Sequence, residues 1–145
     1  MWDDLKKQWD AGSLLTRLIF VNVGVFTLIL TLRLLGTLGA IDASNVIGVY
    51  GLATGWSGEV LVQRPWSVLT HMFVHVDIWH LAMNMLWLYW MGRLFVVQFG
   101  SRRLLSPYFV SGLVGFALYA VASNVFPGLQ QGTYAYGASA AVMGI

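Results

Sequence analysis

The chain has no cysteine among its 145 residues, which excludes disulfides, thiolate metal sites and a cysteine nucleophile. Charge is also scarce: Asp, Glu, Lys and Arg together make up 10% of the sequence, against about 25% in soluble domains. With 58% hydrophobic residues and a mean hydropathy of +0.71, the composition argues against a water-soluble fold. The net charge of +2 comes from a few dispersed residues, so nucleic acid is not the implied partner. A cleavable leader is not expected either. Met1 to Asp10 is charged and amphipathic, and no small-residue cleavage site follows the first apolar run, which reads as a permanent span.

Long apolar runs take the place of charge. A helix needs about 20 apolar residues to cross the hydrocarbon layer, and three complete runs meet that length: about Leu14 to Leu38, Ile78 to Val97 and Leu104 to Phe126. Arg17 and Arg33 lie near the ends of the first, where their stems can reach the headgroups. The second carries His80 and Asn84, polar groups that are costly in lipid unless they have a task. Pro107 fits the first turn of the third, where its missing amide hydrogen is no loss. A fourth run opens near Tyr134 and stops at Ile145, too short to span, so the sequence is expected to be part of a longer protein.

The fold class expected is therefore all-α, a polytopic membrane helical bundle with three full transmembrane helices and the start of a fourth. Residues 1–13 read as a cytoplasmic interfacial segment in which Trp2, Leu5 and Trp9 share one helical side, and residues 14–145 as a partial membrane domain. Between the first two spans, Gly39 to Asp77 forms a long loop expected to lie along the interface as short elements, its tryptophans suiting that zone.

Cationic residues set the orientation. Lys6, Lys7 and Arg17 precede or begin the first span, and Arg93, Arg102 and Arg103 cluster between the second and third, so both groups belong on the cytoplasmic side. The connection from Pro127 to Thr133 is uncharged and falls on the opposite side. His80 and Asn84 at the start of the second span then share one depth with Ser139 at the start of the fourth, which favours a site over scattered tolerated polar residues.

Those residues can do specific chemistry. A serine becomes a nucleophile when a base takes its proton and donors stabilise the oxyanion. Ser139 sits in Gly137-Ala138-Ser139-Ala140-Ala141, where small neighbours admit an extended peptide and first-turn amides are free to donate. His80 and Asn84, four residues apart, project from one helical face. With the Ser139 amide they form a candidate oxyanion hole. Two plainer readings stay open: a small-residue packing interface around Ser139, and an interhelical hydrogen bond for the His-Asn pair. A zinc site of His71, His75 and His80 lacks a fourth ligand beyond Asp77, so neither a metal nor a cofactor is expected.

The segments Trp66-Ser67-Val68-Leu69-Thr70-His71-Met72-Phe73-Val74-His75, His80-Leu81-Ala82-Met83-Asn84 and Gly137-Ala138-Ser139 resemble the rhomboid intramembrane serine proteases in order and spacing. The resemblance implies a six-helix core in a bacterial inner membrane with a cytoplasmic N-terminus. It also implies cleavage of transmembrane protein substrates near the outer face. It assigns Ser139 as nucleophile, His80 and Asn84 as catalytic groups binding the oxyanion, and His71 and His75 to mainly structural roles. Ala140 stands where the family commonly has a second glycine, Ser67 replaces an arginine, and Val96 occupies a usual glutamate position. The family's general base is a histidine on the sixth helix, which no residue here matches, so the chain alone is expected to be inactive. The alternative is a non-catalytic, derlin-like protein that binds transmembrane clients. The lipid bilayer is a partner under either reading, and oligomeric state is left open.

Overall fold

The computed structural model describes residues 13–41, 58–126 and 135–145. The interfacial segment expected over residues 1–13 (Ser13 apart), residues 42–57 of the long loop and the connection from Pro127 to Thr133 lie outside the described residues. The described elements are all helical: α1 (Leu14–Thr37), α2 (Gly58–Gln63), α3 (Ser67–Thr70), a 3-10 turn (His71–Phe73), α4 (Ile78–Phe99), a second 3-10 turn (Ser101–Arg103), α5 (Leu105–Val125) and α6 (Ser139–Met143).

Local chemistry sets the helix boundaries. The Ser13 hydroxyl accepts from the Thr16 amide at the start of α1, and the Asp77 carboxylate accepts from the His80 amide at 2.9 Å to open α4. Gly100, at φ 85°, lets the chain turn sharply after α4. Pro107 falls in the first turn of α5 as expected. The fourth segment begins its helix at Ser139, as expected; just before it Gly137 adopts φ 114° and its amide is held by the His71 carbonyl instead of entering a helical ladder.

Each long helix buries one narrow stripe. On α1 it is Leu15, Leu18, Asn22, Phe26 and Ile29, and on α4 Leu81, Asn84, Met85, Leu88 and Gly92. Most of both stripes meets Met72, Leu104, Tyr108, Ala138, Ala141 and Val142 in one core, while Ile29 packs with Val74 in a second, smaller cluster. The opposite faces are exposed and apolar, Leu30, Leu34, Val97, Leu118 and Val121 among them. Such a surface would be costly in water and suits lipid. Among the described residues, two helices are long and apolar enough to cross a membrane, Leu14–Thr37 and Ser101–Val125. α4 has 22 residues but is more polar, carrying His80, Asn84, Arg93 and Gln98.

Contacts at both ends make α1 and α4 antiparallel. The Leu14 amide donates to the Ser101 hydroxyl at 3.0 Å beyond the C-terminal end of α4, while Arg33 near the other end of α1 donates to the Val76 carbonyl just before α4 begins. α5 returns after a short connection. The start of α6 therefore reaches the same end of the bundle as the start of α4.

Candidate active site

The 71–75 segment is the platform of the site. Met72, Val74 and His75 are fully buried, and the turn is wedged between α1 and α5. The Tyr108 hydroxyl on α5 receives a hydrogen bond from the Asn22 amide of α1 at 3.4 Å and reaches the Met72 carbonyl at 3.5 Å. His71 is packed against the Phe116 ring, with ring centroids 5.3 Å apart, and its Nδ1 lies 3.2 Å from the Ser67 carbonyl.

Two backbone hydrogen bonds fasten the approach to Ser139 onto this platform. The Gly137 amide donates to the His71 carbonyl at 2.9 Å, and the Ala138 amide donates to His75 Nε2 at 3.3 Å. Asn84 Nδ2 lies 3.0 Å from the same ring nitrogen. An amide hydrogen and a carboxamide NH2 both aimed at Nε2 make that nitrogen an acceptor, so the His75 ring is neutral with its proton on Nδ1. Nδ1 is buried near the Phe73 carbonyl but outside hydrogen-bonding geometry. Burial, helped by the neighbouring His80 and opposed by the Phe73 carbonyl, pushes His75 down to about 4. His71 is lowered too, again chiefly by burial.

His80 is half-buried. Its ring stands edge-on to His75 at 5.2 Å between centroids. It also meets the backbone of Gly137: a Cβ at that position would lie 2.7 Å from His80 Cε1 and 3.0 Å from Nε2. Only a glycine fits, both for this contact and for the positive φ. Ser139 follows two residues later as the first residue of α6. It is exposed, and its hydroxyl has no hydrogen-bond partner among the described residues.

The residues singled out from sequence thus lie around one small region, with Asn84 engaged by His75 and His80 against the Gly137 backbone. The Asn84 NH2 group has two hydrogens, so the contact to His75 leaves one for another acceptor. Among the described residues no group of three His, Asp or Glu side chains is placed to hold a metal ion. The sequence reading passed over Asn22, Tyr108 and Ser111, which brace the platform and α6. An asparagine inside an apolar run was the available signal for the first. Ser111 Oγ bonds the Pro107 carbonyl within α5 and the Ala141 carbonyl of α6, the latter at 3.1 Å.

A family model described as the Rhomboid domain matches residues 62–145, a span that contains the platform, α4, α5 and Ser139. Comparison with curated proteins and with solved structures found no match.

Proposed function

The chain belongs to the rhomboid family and is an integral membrane protein, and we propose that it is the catalytic-serine part of an intramembrane serine endopeptidase. Its substrates are transmembrane proteins cut near the outer face of a bacterial inner membrane, with the N-terminus in the cytoplasm. In this reading α4 also crosses the bilayer, as a third full span. The observation that carries the proposal is the contact of the Gly137 backbone with the His80 ring, two residues ahead of an exposed serine.

The chemistry follows from the side chains. Ser139 Oγ attacks the substrate carbonyl carbon and its proton passes to a base; the carbon–nitrogen bond then breaks, the amine leaves with a proton, and water releases the acyl group. His80, the second Asn84 amide hydrogen and the Ser139 amide supply donors for the oxyanion. Small residues at 137, 138 and 140 keep the approach to the hydroxyl open. The family's base is a later histidine with no counterpart in these residues, so the 145-residue chain by itself is expected not to cleave. Without a base, serine catalysis falls by several powers of ten, about 10⁶ when the histidine of a well-studied triad is removed.

The test uses the full-length protein in liposomes with a single-span substrate. Cleavage by the wild type and none by Ser139→Ala is expected. Binding of the substrate without cleavage by the full-length wild type would instead make it a client-binding protein of the derlin kind.

A further inference from the structure

α6 meets α5 through contacts that leave almost no room. Ser111 on α5 lies against Gly144, its hydroxyl bonds the Ala141 carbonyl, and Gly115, one turn further along, faces Ala140. A methyl at position 115 would overlap the Ala140 Cβ, while the next nearest atom, the Ala140 Cα, would be 3.7 Å away at ordinary van der Waals distance. The gap between the two backbones therefore holds one methyl group. Here Ala140 carries it.

The obstruction at this point differs from those at the other helical glycines of the core. A methyl at Gly92 would meet the end of the Leu15 side chain, and one at Gly112 the thioether of Met72, both of which can swing away. Ala140 has no rotatable bond beyond Cβ, so an intruding methyl can be relieved only by moving backbone. The backbone that moves belongs to the five-residue helix that Ser139 opens. α6 cannot shift freely at its start either, because Gly137 and Ala138 are hydrogen-bonded to His71 and His75.

We propose that Gly115 is a positioning residue for Ser139: its missing side chain receives the Ala140 methyl, and the pair sets the distance of the serine helix from α5. The assignment rests on Ser139 being the nucleophile. It also accounts for the alanine at position 140, because a glycine on the facing helix provides the space the methyl occupies. The methyl can be carried by either helix, so exchanging the two residues preserves the fit.

Four forms of the full-length protein in detergent test this: wild type, Gly115→Ala, Ala140→Gly and the double exchange G115A/A140G. The labelling rate of Ser139 with a fluorophosphonate and the thermal unfolding midpoint are measured for each. A misplacement of about 1 Å costs on the order of 10²-fold in rate, so Gly115→Ala is expected to label at least about tenfold more slowly and to unfold at lower temperature. The double exchange is expected to recover most of both losses. Gly24→Ala, where no atom lies within 4 Å of the added methyl, labels at the wild-type rate and does not lower the midpoint.

Labelling of Gly115→Ala at the wild-type rate, or a double exchange no better than Gly115→Ala, overturns the proposal. A wild type that takes up no probe overturns the nucleophile reading instead, and the midpoints then decide the pairing: recovery in the double exchange upholds it and additive losses refute it. If Gly115→Ala does not fold, recovery of folded protein in the double exchange decides in the same way.

Discussion

Asn84 on α4 and His75 on the preceding platform are joined through Nδ2 and Nε2 at 3.0 Å, and the Ala138 amide shares the same acceptor. One neutral imidazole thus fixes the depth of two elements that are far apart in sequence. Replacing His75 with leucine leaves both donors without their partner. Stranding a buried polar group costs about 1–3 kcal/mol, so His75→Leu is expected to lower stability by about 2–4 kcal/mol in detergent unfolding. The Ser139→Ala variant, which removes an exposed hydroxyl, should unfold within about 0.5 kcal/mol of wild type.

The same imidazole makes stability depend on pH. His75 titrates near 4 in the folded protein and at the ordinary 6.5 when unfolded, so between those values the unfolded chain binds the extra proton. Stability is complete above about pH 6.5 and falls as the pH drops toward 4, by at most about 1.4 kcal/mol per unit. His71, lowered for the same reason, acts in the same direction. Unfolding midpoints recorded from pH 7.5 to 4.5 should decline for the wild type and decline less steeply for His75→Gln, whose side chain does not titrate.

Gly137→Ala combines two faults at one position. The backbone there is at φ 114°, and the new methyl would lie 2.7 Å from His80 Cε1. Conformational strain alone costs about 1–3 kcal/mol, and displacing His80 adds to it. Serine labelling of this variant should drop at least about 10²-fold, with a lowered unfolding midpoint.

Tyr108→Phe removes the hydroxyl that links Asn22 on α1 with the Met72 carbonyl of the platform. Both hydrogen bonds are long, 3.4 and 3.5 Å, so the expected loss is modest, about 0.5–1.5 kcal/mol. Asn22 already has its Oδ1 buried without a partner among the described residues. The double variant Asn22→Leu/Tyr108→Phe should therefore be more stable than the sum of the single effects, as a four-protein unfolding cycle will show.

The helices were legible because apolar length is a strong signal: the structure gives Leu14–Thr37, Ile78–Phe99 and Leu105–Val125 where runs ending at Leu38, Val97 and Phe126 were read. The last helix begins at Ser139, where the sequence places its start, although the apolar run itself opens near Tyr134. Tyr134 to Gly137 is as apolar as a helical turn, and nothing local announces that the Gly137 amide bonds the His71 carbonyl, 66 positions back in sequence. For the site, the sequence reading rests on the spacing of His80 and Asn84 and on the charge distribution; the structure sets the His80 ring against Gly137, two residues before Ser139. The engagement of Asn84 by His75 and the fit of Ala140 to Gly115 depend on distances between elements, which a periodic pattern does not encode.

The most direct test of the central claim is to map, by mass spectrometry, the residue that a fluorophosphonate modifies in the full-length protein, alongside Ser139→Ala and Asn84→Ala. Modification at Ser139, absent in Ser139→Ala and slowed about 10²- to 10³-fold in Asn84→Ala by loss of an oxyanion donor, is the predicted result. Modification at another residue, or labelling that persists in Ser139→Ala, would contradict it.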